Sequence, residues 1–254
     1  LDQIGTICRE FDALLYVDAT ATMGGMNIDV DGWQLDAVSS GLQKCMSGPP
    51  GSSPITFNDR IAEVVSARRH IEEGIQPEGY IAAQGRRIQS NYFDLPMLMD
   101  YWGPQRLNHH TESTSMLYAA RECARVLLSE GLENTYSRHR QSSAALRAGL
   151  KAMGLELYGD PNHRMDNVTG IYIPSRVDGD KVRLELLQDF GIEIGTSFGS
   201  LHGIVWRIGT MGYGCQKVNV LRCLSSLEAV LRRNGYDAPN SVGIDAAYGA
   251  FDEK

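Results

Sequence analysis

Cysteine is sparse in this chain: its 254 residues hold five, at positions 8, 45, 123, 215 and 223. An odd count with no CxxC pair and no zinc-type spacing argues against a disulfide framework and a structural zinc site, and suits a reducing cytosol. A basic excess is missing too. Lys and Arg total 24 against 31 Asp and Glu, giving a net charge of −7 and a pI near 5.4. Nucleic-acid binders show a basic face instead. No run approaches the roughly 18 consecutive apolar residues of a membrane span, and mean hydropathy is −0.25. There is no initiator Met, charged n-region or apolar h-region, so no signal peptide is read here. No internal repeat or low-complexity tract occurs. What remains is the profile of a soluble, globular, cytoplasmic chain with no nucleic-acid or membrane partner. Its length predicts one or two domains, and such a chain buries roughly 70–75% of its unfolded surface without staples.

The chain opens with apolar residues at helical spacing (Leu1, Ile4, Cys8, Phe11) just before a strand, and so reads as a segment of something longer. Ala13–Val17 is a short all-apolar run ending on Asp18, as in a parallel sheet covered on both faces. A second strand is expected over Leu35–Ser39 and a third over Ser53–Phe57, with Asn58 or Asp59 capping the next helix. Between Arg69 and Arg106 the periodicity is poor, apart from a short helix at Leu95–Tyr101. Helices are predicted from Ser113 or Thr114 to Gly131 and on to about Met153, with Gly154 as a C-cap. Beyond them, strands (Leu155–Tyr158, Asn167–Ile173, Ile192–Gly195, Ile204–Ile208) alternate with helices (Gly179–Phe190, Gln216–Arg233). The tail from Asn234 contains Gly, Pro and Asn and reads as an ordered extension or a loose end. The pattern is α/β up to about residue 113, a connecting helix, and a smaller α+β or α/β layer unit to about residue 235.

Two charges sit where strands end. Asp18 follows Leu14-Leu15-Tyr16-Val17, and Lys44 lies just beyond Asp36-Ala37-Val38-Ser39-Ser40, with a Gly48-Pro49-Pro50-Gly51 turn behind it. Ligands of open α/β sheets bind outside the carboxyl ends of the strands. A desolvated lysine is a Schiff-base nucleophile, and a carboxylate opposite a pyridinium nitrogen lets pyridoxal phosphate act as an electron sink. By spacing alone, Asp18 could equally cap a turn and Lys44 be solvated. The His109-His110 pair has no third ligand nearby, and adjacent side chains diverge, so no metal site is expected.

The stretch from YVDATATMGG through DAVSSGLQKCMSGPPG resembles the class V, fold-type I pyridoxal-phosphate aminotransferases, in their alanine–glyoxylate and serine–glyoxylate branch. Asp18 and Lys44 lie 26 residues apart, as in that pattern. The likeness continues through NYFDLPMLMDYWG, NHHTESTSMLYAAREC, the GLEN of residues 131–134 and VWRIGTMG at 205–212. It implies the mostly parallel sheet of a large cofactor domain, C-terminal part only, over 1–113, a small α+β domain over 114–235, and a tail over 236–254. It also implies pyridoxal 5′-phosphate as cofactor, an amino acid-like donor with glyoxylate, and a homodimer sharing its sites between subunits. Lys44 would then hold the cofactor as a Schiff base and shuttle the proton. Asp18 would keep the pyridinium nitrogen protonated, Thr20 would lie on the ring face, and Gln43 would bond the phosphate. Thr111 would reach the phosphate of the neighbouring subunit's cofactor, and Arg207 would clamp the substrate carboxylate. The family's phosphate-cradling turn and ring-stacking aromatic belong to an N-terminal half not contained in this sequence.

Two residues bear on the reaction. Cys45 beside the lysine suggests desulfurase chemistry, but that family's attacking cysteine rides on a mobile loop, so Cys45 is read as a small packing residue. Asn108 stands where alanine–glyoxylate enzymes carry Tyr before His-His-Thr. Its amide donates and accepts, which suits a urea-like group and resembles the ureidoglycine–glyoxylate aminotransferases of purine (allantoin) catabolism. Asn is also a frequent turn former. Alanine or serine donors, a cysteine desulfurase-type lyase and a cofactor-free scaffold are the alternatives.

Overall fold

The computed structural model describes residues 1–71, 73–82 and 88–252. They group into two compact units that interleave in sequence. The first is Leu1–Ala19, Asp29–Ser40 and Gly51–Tyr118, and the second is Thr20–Ile28, Gly41–Pro50 and Ala119–Lys254. Among the described residues no helix is long and apolar enough to cross a membrane.

In the first unit a helix α1 (Asp2–Glu10) precedes strands β1 (Tyr16–Asp18), β2 (Ala37–Ser39) and β3 (Ile55–Phe57) and helices α2 (Asp59–Ser66) and α3 (Leu95–Tyr101). The strands lie in the order β1-β2-β3, the first pair parallel and the second antiparallel, so the sheet is mixed. Its register sets Asp18 beside Ser39, at the carboxyl ends of the parallel pair. β1 starts later than the apolar run predicts because its first residues are engaged elsewhere. The Ala13 N–H returns to Cys8 O of α1 at 2.8 Å, and the Leu15 N–H donates to the Asp36 carboxylate at 2.8 Å. Asn58 caps α2 by accepting from the Ile61 N–H, and Asp94 caps α3 by accepting from the Met97 N–H.

Helix α4 (Thr114–Glu130) leads to α5 (Leu132–Ala152), separated from it only by Gly131 at φ +88°. The second unit continues with β4 (Val168–Tyr172), α6 (Gly179–Phe190), β5 (Gly195–Thr196), β6 (Val205–Gly209), α7 (Lys217–Arg233) and α8 (Val242–Asp252). β4, β6 and β5 form an antiparallel sheet in that order. Trp206 and Ile208 of β6 face Leu146 and Leu150 of α5, Leu186 of α6, and Leu224 and Leu227 of α7 in one buried core. The period of two turns Arg207 and Gly209 to the other face, where both are exposed.

Two predicted strands shrink. Leu155–Tyr158 survives as a single bridge from Leu157 to Ile171, ended by Gly159 at φ +90°. Ile192 is held back by its N–H bond to Leu186 O across the left-handed cap Gly191, and the Ile194 carbonyl accepts from Arg183 Nε. The region read as a tail forms α8, whose Ala247 and Phe251 join the core.

Candidate active site

Lys44 stands in a tight turn that begins two residues after β2. The turn closes through the Ser47 N–H to Lys44 O at 3.0 Å and the Gly48 N–H to Leu42 O at 2.8 Å. Leu42 and Cys45 are buried, which fixes the turn within the second unit, while Lys44 between them is half-buried. Thr20 and Gln43 meet at Gly41: a Cβ there would come within 2.8 Å of Gln43 Oε1 and 3.1 Å of Thr20 Cγ2. Two of the predicted residues, Thr20 and Gln43, are therefore gathered around one glycine, and Lys44 follows Gln43 in the chain.

The Gly24-Gly25 pair packs on the same turn. At Gly24, with φ +87°, a Cβ would meet Leu127 Cδ1 at 3.0 Å, and at Gly25 it would meet Cys45 Sγ at 2.6 Å. Only residues without a side chain fit there. Cys45 Sγ donates to Ala21 O at 3.2 Å, and burial pushes its thiol above the usual cysteine range. That is a packing role, since the thiolate needed for nucleophilic attack is disfavoured. Asn167, fully buried, donates from Nδ2 to Ala21 O and towards Cys45 Sγ, while its Oδ1 has no hydrogen-bond partner among the described residues.

Arg207 projects from the exposed face of β6. Its Nε donates to Thr196 O at 2.9 Å and its guanidinium carbon lies 5.0 Å from the centre of the Phe198 ring. It borders a cavity of about 290 Å³ together with Arg147, Arg164, Thr169 and Ser197. Leu157, Met165 and Val205 also line it, and Arg147 is already paired with Asp166 at 3.5 Å, so Arg207 and Arg164 are the guanidinium groups there that could meet a carboxylate.

The other predicted residues belong to the first unit. Asp18 is exposed at the end of β1. Asn108 and Thr111 are exposed in the segment between α3 and α4. In the orientation its neighbours satisfy, the Asn108 amide donates to His110 O at 2.6 Å and to both Glu112 carboxylate oxygens at 2.9 Å. His109 and His110 do not diverge, because the chain bends at His110 and their Nδ1 atoms come to 2.9 Å. No group of three His, Cys, Asp or Glu side chains among the described residues is placed to hold a metal ion.

Motif reading passes over His139, Gly212 and Asn167. His139 and Asn167 are buried polar residues inside elements that read as ordinary helix and strand, and their partners lie far away in sequence. Gly212, in VWRIGTMG, carries the one available signal, a glycine following a strand end.

A family model described as Aminotransferase class-V matches residues 1–204 of the chain. The (S)-ureidoglycine–glyoxylate transaminase of Bacillus subtilis (strain 168) is 52% identical over 254 residues, covering 99% of this chain and 61% of that protein. The alanine–glyoxylate aminotransferase of Callithrix jacchus is 33% identical over 236 residues, 91% of this chain and 53% of that protein. The crystal structure of the ureidoglycine-glyoxylate aminotransferase from Bacillus subtilis aligns with a TM-score of 0.89 at 50% identity, covering 99% of this chain and 61% of that one. The chain thus spans between about half and three-fifths of the length of these relatives.

Proposed function

The chain belongs to the class-V aminotransferase family, and we propose that it serves the transfer of an amino group from (S)-ureidoglycine to glyoxylate, giving glycine and an oxo acid, with pyridoxal 5′-phosphate as cofactor. The observation that carries this reading is the turn at 41–48, where a half-buried lysine directly follows the cradle made by Gly41, Thr20 and Gln43. The residues suit the cofactor. An amine answers its aldehyde, an amide and a hydroxyl answer its ring and phosphate, and the space between Thr20 and Gln43 is one that a single Cβ would fill. When bound, the cofactor supplies an aldehyde that takes up an amino group and a protonated ring that accepts the electron pair released at the substrate Cα.

Lys44 Nζ supplies the amine that retains the aldehyde and moves the proton at the substrate Cα. The Asp18 carboxylate holds a proton on the ring nitrogen, Thr20 backs the ring, and Gln43 donates to the phosphate. Thr111 donates to the phosphate held by the second protomer of a homodimer. The Arg207 guanidinium pairs with the substrate carboxylate. Asn108 reads the donor: its amide hydrogens are engaged by His110 O and Glu112, which leaves its carbonyl oxygen as an acceptor for a urea-like N–H. In this reading residues 1–113 are the C-terminal part of the cofactor domain, 114–235 the small domain and 236–254 its tail. The identity to the Bacillus subtilis enzyme supports the choice of donor.

The test is a donor competition with glyoxylate as acceptor. Asn108→Tyr is expected to shift the ratio of kcat/KM from ureidoglycine towards alanine by about ten-fold or more, roughly 1.4 kcal/mol. An unchanged ratio removes the ureidoglycine reading. Lys44→Ala should abolish turnover, and borohydride treatment of the loaded protein should label the Lys44 peptide; a label elsewhere overturns its role. Sulfide released from cysteine without glyoxylate would favour a desulfurase instead.

A further inference from the structure

α5 delivers two consecutive side chains, Arg138 and His139, to the loop that follows β6. Arg138 Nη1 donates to Gly212 O at 2.8 Å and to Cys215 O at 3.0 Å, and Glu130 grips the same guanidinium at 2.6 and 2.9 Å. His139 is fully buried. Its Nδ1 lies 2.7 Å from Thr135 O, and its Nε2 accepts from the Gly212 N–H at 3.0 Å. A carbonyl can only accept and an amide N–H can only donate. The two partners therefore demand a neutral ring with its proton on Nδ1 and a lone pair on Nε2.

The opposite side of Gly212 is the Lys44 turn itself. Gly212 has φ +54°, and a Cβ there would come within 3.0 Å of both Lys44 O and Cys45 O and would overlap Ser47 Oγ. The next N–H, of Tyr213, donates to Ser47 Oγ at 2.6 Å. On a second side, a Cβ on Gly25 would meet His139 Cδ2 at 3.0 Å and Cys45 Sγ at 2.6 Å. The imidazole thus touches the backbone segments on both flanks of the turn that carries the lysine.

We propose that His139 is a positioning residue for Lys44: through Gly212, its neutral ring fixes the backbone of residues 44–47 and so the direction in which the lysine amine is presented. This rests on the reading of Lys44 as the amine that retains the cofactor. Burial holds the imidazole below its ordinary pKa, and Arg138 lowers it further against the opposing pull of the Thr135 carbonyl, Glu130 and Asp166. Protonation would set a second N–H against the Gly212 N–H and break the link, so the link belongs to the neutral side of the histidine titration.

Two variants separate positioning from bulk stability. His139→Gln keeps an acceptor near the place of Nε2, whereas His139→Leu fills the volume without one. In cofactor-free protein, amide hydrogen exchange at Gly212 is expected to quicken about ten-fold or more in His139→Leu and to stay near the unaltered rate in His139→Gln. In protein loaded with pyridoxal 5′-phosphate, His139→Leu should lower kcat about ten-fold, leave the donor KM within about two-fold, and move the pH midpoint of the visible absorbance, with His139→Gln restoring most of each. Should His139→Leu not fold, Ser47→Ala takes its place and must reproduce the kcat loss. If the substituted protein keeps kcat and the absorbance midpoint while only its thermal midpoint falls, the proposal is overturned and His139 is structural. If the unaltered protein gains no visible band with the cofactor, the reading of Lys44 fails first, and the positioning role falls with it.

Discussion

Removing the Asp36 carboxylate would leave the Leu15 N–H, the Asn58 amide and the guanidinium groups of Arg60 and Arg9 without the acceptor they share. Asp36 is 1% exposed. Burial alone would raise its pKa, yet the hydrogen bonds from Asn58 and Leu15, with Arg60 and Arg9, hold it below the usual carboxylate range. The sign follows from linkage. With the folded pKa below the unfolded value of about 3.9, its stabilisation is complete above about pH 5 and fades as pH falls through the folded value. Asp36→Asn should therefore flatten the acid limb of the urea midpoint between pH 3 and 7. Parallel curves for the variant and the unaltered protein would refute this. Asp36→Ala should cost about 2 kcal/mol at neutral pH, less than a wholly buried pair because both arginines reach water. None of this was legible from residue type, since an Asp before a strand reads equally as a turn residue; its partners converge only after α1, β1 and α2 have assembled.

At the scale of elements, local chemistry did most of the specifying. α3 and α6 form over the spans expected of them, Leu95–Tyr101 and Gly179–Phe190. Asp178 and Gly191 bracket α6 as N-cap and left-handed C-cap. Asn58 does two jobs at the head of α2: its Oδ1 accepts from the Ile61 N–H at 3.2 Å and its Nδ2 donates to Asp36 at 2.8 Å. Asn58→Ser keeps a cap and loses the second bond, whereas Asn58→Ala loses both. Urea titration should rank Ala below Ser by about 1 kcal/mol, and equal losses would show that the cap contributes nothing. Strands were less legible than helices. β1 and β5 are cut short by bonds from a side chain and a helix end that no local pattern announces.

At the largest scale, the C-terminal helix of the second unit is held by one close approach between α5 and α8. A Cβ on Gly149 would come within 2.5 Å of Leu224 Cδ1 and 2.6 Å of Gly243 O, and one on Gly243 within 2.8 Å of the Met153 side chain. The helices meet through glycines because no larger residue fits. Gly149→Val should force α8 off α5, and limited proteolysis should then cut within 236–252 while cleavage elsewhere in the unit lags. Protection of α8 in that variant would mean the contact tolerates bulk. The Gly, Pro and Asn after residue 234 left this region to read as either an ordered extension or a loose end. Its order comes from the tertiary contact of α8 on α5.

The ordered set Asp18, Gly24-Gly25, Gln43-Lys44 and Pro49-Pro50-Gly51, followed by Arg207 in VWRIG, carried the resemblance to the class-V aminotransferases without any coordinates, and the family match over residues 1–204 bears that resemblance out. Helix spans, caps and the inward face of β6 were likewise written locally, in periods of 3.6 and two. Tertiary structure alone decided that Gly41 is the centre of the Thr20–Gln43 cradle, that His139 holds Gly212 against the lysine turn, and that Asp36 gathers two arginines. The reason is physical. A hydrogen bond between residues 73 apart, as from Gly212 to His139, leaves no periodic trace in sequence, and a buried histidine in a helix looks like any other core residue until its partner is folded against it.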